Sequence, residues 1–308
     1  MKIAITGATG FIGTKLVEKL AKDNQIIILT RNVDKAKSVF SPAIYSNLEF
    51  INYTPKQEGI WQNKIDGCDA VINLAGAPIA ERWSDSYKQE ILDSRQLGTR
   101  IIVDAIAKSN QKPQVLINAS AIGFYGTSET ETYTEISPAG EDFLAQVCQA
   151  WEGEANKVTE IGIRLVILRF GIVLGNGGAL AKMIPPFKIF AGGPIGGGKQ
   201  WFSWIHRDDV VEMIIQSLKD NNIHGTFNAT APYPVTMNKL CETLGSILKR
   251  PSWLPVPSFA LELLLGDGAK VVLEGQKVLP QKTTELMNYN FLYPNLESAL
   301  KQIITTEF

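Results

Sequence analysis

Residues 2–30 read KIAITGATGFIGTKLVEKLAKDNQIIILT. KIAIT (2–6) is a short apolar run of β type, and GATGFIG (7–13) follows it directly. TKLVEKLAKDN (14–24) carries apolar residues at helical spacing, and QIIILT (25–30) is a second buried strand. Strand, glycine turn, helix and strand in about 30 residues is the layout of a dinucleotide-binding unit. Gly7, Gly10 and Gly13 have separate tasks: a tight turn, close approach of the backbone to a pyrophosphate, and close helix–strand packing. Thr9, Phe11 and Ile12 complete the turn, and the pyrophosphate is expected on the N–H groups and positive dipole end near Phe11 to Gly13. The bland alternative is a tight turn with no ligand.

The end of the second strand bears on which dinucleotide. An NAD site usually puts Asp or Glu there for the ribose 2′-hydroxyl. This chain has Thr30-Arg31, so no carboxylate repels a 2′-phosphate and a guanidinium is available for charge-assisted bonds. The pattern favours NADP over NAD; the alternative is that Arg31 is a solvated loop residue.

Further along, DAVINLAG (69–76), KPQVLINASAIGFYG (112–126) and RLVILRFGIVLG (164–175) each read as a buried strand with a small-residue turn. YKQEILDSRQLGTRIIVDAIAKS (87–109) is the principal helical segment among them. Strands alternating with helices predict an α/β fold, a Rossmann-type doubly wound parallel sheet. Residues 1–175 are expected to form the NADP-binding domain, with some later segments returning to it. Residues 176–308 are expected to form a smaller α+β substrate lobe that includes a distinct segment, 250–308.

The 308 residues are 45% hydrophobic and 20% charged, with a formal net charge of -1. That balance gives no electrostatic reason for nucleic acid or an anionic membrane as partner. Cys68, Cys148 and Cys241 are far apart and odd in number, and the only histidines are His206 and His224. Neither a disulfide framework nor a metal site is expected. No signal peptide or membrane-spanning run is visible, so the expected location is the cytoplasm and the partner a small molecule.

TGATGFIG, NLAG, SAIGFYG, RFGIVLG and WIHRDDV occur in the order found in the extended short-chain dehydrogenase/reductases, the superfamily of nucleotide-sugar epimerases, and the chain resembles that superfamily. SDSYKQEILDSR (84–95), DFLAQVCQAWE (142–152), GGPIGGGKQWFSWIHRDDV (192–210) and LEGQKVLPQK (273–282) resemble one atypical branch, the epimerase-family or SulA-like proteins often named cell division inhibitors. The resemblance implies NADP held by the glycine turn, Thr30, Arg31, Leu74, Ala75 and Gly76, with contacts from Glu90, Arg95 and Val173. Arg95 would face a phosphate, and Glu90 would orient Arg95 or bond the adenosine half; the alternative is a surface ion pair of little worth.

Most of the superfamily carries Tyr-x-x-x-Lys on the helix after the SAIGFYG strand, where the lysine lowers the tyrosine pKa for acid–base work. Here that helix is DFLAQVCQAWEGEA (142–155), and the two positions fall near Leu144 and Cys148. Residues 118–156 contain two tyrosines and six glutamates but no lysine or arginine. Ser120 and Tyr125 are left as the candidate catalytic residues, with Ala121 as the alternative register for Ser120 and no evident activator for either. Cys148 reads as a buried helix residue.

GGPIGGG (192–198) holds five glycines in seven residues and leads to Trp201, Phe202 and Trp204. GPIGGGK formally fits a phosphate loop, but Gln200 stands where Ser or Thr is needed, and the expectation is a mobile loop over a substrate cleft. Asp208 or Asp209 is expected to cap the helix VVEMIIQSLKD, and His206 and Arg207 to bind an anionic substrate group. The sequence thus predicts an NADP-binding oxidoreductase or epimerase-like protein without the usual dyad. The alternative is a non-catalytic NADP-sensing regulator, linked through the branch's name to cell or plastid division.

Overall fold

The computed structural model describes residues 1–307. Its centre is a seven-stranded sheet in which every pairing is parallel. The strands are β1 (Lys2–Thr6), β2 (Gln25–Thr30), β3 (Leu48–Asn52), β4 (Ala70–Asn73), β5 (Val115–Ala121), β7 (Arg164–Phe170) and β11 (Gly225–Ala229), in the order β11-β7-β5-β4-β1-β2-β3. Six two- or three-residue strands lie outside it: β8 (Ile172–Leu174) with β10 (Trp204–His206), β9 (Trp201–Phe202) with β12 (Val235–Thr236), and β6 (Thr132–Tyr133) with β13 (Lys277–Val278) make three small pairs.

The central strands are apolar on both faces because both are covered. Ile3, Ile5, Ile26, Ile28, Ile72 and Ile117 point to one side. There they meet Leu16 and Val17 of α1 (Phe11–Leu20) and Val210, Val211 and Ile214 of α6 (Arg207–Lys219). The alternate residues Ala4, Ile27, Leu29, Val71 and Leu116 face Ile102, Val103 and Ile106 of α3 (Asp85–Lys108) and Ala155 of α4 (Phe143–Asn156). A short helix, α2 (Val33–Val39), follows β2 and is capped by Asn32, whose Oδ1 accepts from the Lys35 N–H at 2.9 Å. Ser84 caps α3 and Asp142 caps α4 in the same way.

A second core is built by α5 (Gly178–Lys188), α7 (Met237–Leu248) and α11 (Leu296–Glu307), whose Leu180, Ile184, Leu240, Leu244, Leu300 and Ile303 enclose Phe202 and Trp204. Between α7 and α11 come α8 (Ser258–Leu265), α9 (Lys270–Leu273) and α10 (Gln281–Glu285). The chain from 274 to 293 runs back over the first layer. Gln276 donates to the Ile122 carbonyl, Thr283 to the Asn228 carbonyl, and the Leu292 N–H to Asp209. Among the described residues no helix is long and apolar enough to cross a membrane.

Candidate functional site

The C-terminal ends of β1, β2, β4 and β5 converge on the glycine turn. Gly7 has φ +69°, and a Cβ there would lie 2.8 Å from the Leu74 backbone. A Cβ on Gly13 would lie 2.2 Å from the Gly7 carbonyl oxygen, so α1 rests directly on the turn. Gly10 starts α1, and no side chain caps its first N–H groups. A cleft of about 570 Å³ opens beside this end, between Thr9, Gly10, Phe11, Asn176, Arg207 and Asp208. The Phe11 ring is clamped on one side by Gly175 and Gly177, whose Cβ positions would each come within 2.8 Å of it, and lies 5.0 Å from the Arg207 guanidinium on another. Ile12 is half-buried beside it, and Val173 sits on β8 just before this clamp.

Thr30 ends β2, and Arg31 is exposed immediately after it. Burial pushes the nearby Tyr53 phenol up to about 12, and the Arg31 charge acts against that rise. On the other side of the turn, Asn73 is buried. It accepts from Thr6 Oγ1 at 2.7 Å and donates to Thr99 Oγ1 at 2.9 Å and Asn118 Oδ1 at 2.7 Å. This polar knot ties the ends of β1 and β4 to the middle of β5 and to α3, below Leu74, Ala75 and Gly76.

Arg95 braces that loop from beneath. It donates to the Ala77 carbonyl at 3.0 Å and the Ile91 carbonyl at 3.2 Å, with its guanidinium against Gly76. Glu90 does not orient Arg95, contrary to one expectation. It pairs instead with Lys56 of the loop after β3 at 2.5 Å, because a spacing of five turns the two side chains away from each other on α3.

The end of β5 departs most from expectation. Ser120 and Tyr125 are 1% and 3% exposed, and neither hydroxyl faces solvent. Ser120 lies opposite Arg169 of β7 in the sheet register, and both reach Glu152 of α4. Ser120 Oγ donates to Glu152 Oε1 at 2.6 Å, and Arg169 grips both Glu152 oxygens at 2.8 and 2.7 Å. Arg169 Nη1 donates to Tyr125 Oη at 2.9 Å, and that hydroxyl donates to Asn228 Oδ1 at 2.7 Å. Burial pushes the Tyr125 phenol above its ordinary value, with Arg169 opposing. Ser120 and Tyr125, read from the sequence as candidate catalytic residues, therefore have hydroxyls engaged in a buried network: the strand's alternation turns Ser120 towards α4, leaving half-buried Ala121, the alternative register, at the strand end.

Leu144 packs 3.4 Å from the Cβ position of Gly123, and the Cys148 thiol donates to the Ala121 carbonyl at 3.7 Å. Burial pushes that thiol up to about 12, so it is a neutral, inert group at physiological pH.

His206 is also corrected. It is 0% exposed and stacks on Tyr293 with ring centroids 4.0 Å apart. Its Nδ1 accepts from the Asp208 N–H at 3.0 Å, so His206 itself caps α6, and its Nε2 meets Gln302 at 2.9 Å. Asp209, expected as a cap, is buried and accepts from Tyr289, Leu292 and Tyr293. Arg207 is 8% exposed, donates to Asn176 Oδ1 at 2.7 Å, and lines the cleft at the glycine turn instead of a separate substrate loop.

The glycine-rich segment 192–198 is packed down, not a free flap. Cβ atoms at Gly193 and Gly198 would lie 2.0 Å from the Leu254 carbonyl and 1.9 Å from Asn238. Gly193 serves close backbone approach, and Gly192 and Gly198 make room for the Phe187 ring and the Asn238 side chain. Sequence reasoning missed Glu152, Arg169, Asn73 and Asn176. The one available signal was charge or amide inside apolar strands, as in RLVILRF and DAVINLAG.

A parallel sheet with a glycine turn feeding an uncapped helix is the layout of a dinucleotide-binding fold. The chain belongs to the NAD dependent epimerase/dehydratase family, whose model matches residues 3–229; a domain of unknown function (DUF1731) matches 256–303. It is 50% identical to the chloroplastic epimerase family protein SDR39U1 homolog of Arabidopsis thaliana over 99% of this chain and 87% of that one. It is 40% identical to the epimerase family protein YfhF of Bacillus subtilis over 99% and 98%. Among solved structures, human epimerase family protein SDR39U1 (isoform 2) with NADPH superposes with a TM-score of 0.85 at 32% identity, covering 99% of this chain and 100% of that one.

Proposed function

We propose that this chain binds NADP(H) and acts as an oxidoreductase or epimerase-like enzyme on a small molecule. The observation that carries the reading is the open N-terminus of α1 at the glycine turn, with Arg31 exposed at the end of β2. The N–H groups of Phe11 to Gly13 would hold the pyrophosphate, and Arg31 with Thr30 the 2′-phosphate. Leu74, Ala75, Gly76 and Val173 would line the cofactor. Arg95 would act through the loop it braces, and Glu90 through Lys56. When bound, NADPH would supply the hydride, and the protein chiefly orientation. Ser120 and Tyr125 would serve by holding the end of β5 rigid, through Glu152 and Arg169. The NADPH in the human relative's structure supports the cofactor assignment.

A second reading, an NADP-responsive protein without turnover, is favoured by the absence of a Tyr-x-x-x-Lys pair within residues 118–156, where the two positions would fall near Leu144 and Cys148. Two measurements decide. Arg31→Ala should weaken NADPH binding roughly tenfold or more and leave NADH nearly unchanged; equal losses would sink the 2′-phosphate assignment. NADPH consumption should then be followed with a panel of carbonyl compounds, nucleotide sugars and fractionated metabolites. Turnover with matched product supports the enzyme; tight binding with no turnover across the panel favours the sensor.

A further inference from the structure

The strand order fixes where the two ends of a dinucleotide would lie. Arg31 follows β2, the glycine turn follows β1, and the crevice continues over the ends of β4 and β5. With the 2′-phosphate at Arg31 and the pyrophosphate on α1, the nicotinamide would fall at the ends of β4 and β5. Gly76 is exposed there, Ala121 and Gly123 are half-buried, and none carries more than a methyl group. Beside them stands an apolar wall drawn from three parts of the chain: Ile79 and Trp83 of the loop after β4, Phe143 and Leu144 of α4, and Val271 of α9. Leu144 comes within 3.4 Å of the Cβ position of Gly123, and the Trp83 and Phe143 rings meet edge to face with centroids 5.3 Å apart. The Trp83 N–H donates to the Leu265 carbonyl at 3.1 Å, which ties this wall to the second lobe.

The polar atoms along the wall are engaged. Tyr87 Oη donates to the Pro78 carbonyl at 2.8 Å, the Cys148 thiol to the Ala121 carbonyl at 3.7 Å, and Ser120 and Tyr125 turn into the network with Glu152 and Arg169. At the rim, Lys182 of α5 donates to the Ala80 carbonyl at 3.3 Å, Lys88 pairs with Asp267, and exposed Arg82 and Lys270 stand with exposed Glu81 and Glu262. This arrangement narrows the chemistry. A simple ketone that accepts hydride becomes an alkoxide, nearly as basic as hydroxide, whose conjugate acid titrates at about 15.7. Oxidation of a sugar hydroxyl during epimerisation must remove a proton held as tightly. Both call for a positioned acid or base. A hydroquinone anion is a phenolate, whose conjugate acid titrates at about 10, and it needs only water.

We propose that the hydride acceptor is an uncharged quinone, held flat over the ends of β4 and β5 against the wall of Trp83, Phe143, Leu144 and Val271; this rests on the NADP(H) reading above. A hydride from the dihydronicotinamide adds to one quinone oxygen, the conjugated π electrons shift to make the ring aromatic, and the second oxygen is left as an anion that water protonates. The quinone is reduced to hydroquinone and NADPH is oxidised to NADP+. The chain's part is to stack the ring on apolar and aromatic side chains and to keep charge away from it.

The full chain is first titrated with NADPH; failure to bind would remove the cofactor reading and the quinone with it. Given binding, two readouts address the quinone alone. In the NADP+ complex, where no hydride is available, naphthoquinone should quench tryptophan fluorescence saturably, and Trp83→Phe should remove most of that quench. With NADPH, naphthoquinone should be reduced faster than cyclohexanone or a UDP-hexose by about a hundredfold or more, the usual worth of a general acid that the ketone and the sugar would need. The rate should be flat between about pH 6 and 9, since no side chain delivers the proton. Val271→Asp should raise the KM for naphthoquinone about tenfold and leave NADPH binding unchanged. Lys182→Met should leave the rate unchanged. NADPH binding without reduction of naphthoquinone would overturn the proposal, as would equal turnover of cyclohexanone or a quench that Trp83→Phe leaves intact. A rate lost in Lys182→Met would also overturn it, since the proton would then come from that amine.

Discussion

Arg169 is 5% exposed and bonds Glu152 twice and Tyr125 once. Two charges so deeply buried are tolerated because each satisfies the other, Ser120 donates to Glu152, and the Arg169 guanidinium has Tyr125 as a further acceptor. Removing one partner is the costly change. Arg169→Met should lower unfolding free energy by about 3–5 kcal/mol, read from the urea midpoint, because Glu152 is left charged without a partner. Adding Glu152→Gln to that variant should return part of the loss. If the double variant is no more stable than the single, the cost is one of shape and not of charge. Arg169 was visible in the sequence as a misfit within an apolar strand. Its partner was not, because Glu152 lies 17 positions earlier on a helix whose contact with β7 depends on sheet register.

At the scale of elements, α1 and β1 were legible because apolar periodicity and three glycines agree on one local answer. Where one residue type serves two purposes, the sequence misled. The glycines at 192–198 read as a flap, whereas Gly192, Gly193 and Gly198 serve close packing, and His206 takes the cap position that the aspartates at 208 and 209 suggested for themselves. Gly13 and Gly153 make the distinction measurable. A Cβ at Gly13 would strike the Gly7 carbonyl at 2.2 Å, whereas exposed Gly153 in α4 has nothing within 4 Å of its Cβ position. Gly13→Ala should destabilise by about 3 kcal/mol, the upper part of the range for overpacking, and abolish NADPH binding. Gly153→Ala should stabilise by about 0.8–1 kcal/mol through helix propensity. Equal effects in thermal melts would contradict the packing account.

Across the whole molecule, three thiols are buried in three different places, and burial pushes Cys68 up to about 11 and Cys148 and Cys241 up to about 12 from 9.0. In the unfolded chain these thiols release their protons near pH 9; in the folded chain they keep them. Rising pH above about 9 therefore favours unfolding, at about 1.4 kcal/mol per pH unit for each thiol until its folded pKa is passed. The thiols' contribution to unfolding free energy should be constant below about pH 8 and fall steeply by about pH 10.5, and replacing all three cysteines by alanine should flatten the alkaline slope whatever its effect on absolute stability. A slope that survives the replacement would belong to other buried groups such as Tyr53. The alternation of strands and helices predicted the central sheet, but nothing local in the sequence announced the return of 274–293 across it, since that path rests on bonds such as Thr283 to Asn228 and Tyr289 to Asp209. That return has a consequence in time. β11 is an edge strand, and its Asn228 N–H and carbonyl are covered by Glu135 and Thr283, with Glu135 in turn gripping the Lys282 N–H. During synthesis at about 5–20 residues per second, the sheet would emerge from the ribosome several seconds before the segment that covers its edge. For that interval the nascent chain presents an open β edge, the feature through which chains aggregate, so chaperone demand should be set by the segment 274–293 and not by the large sheet that precedes it.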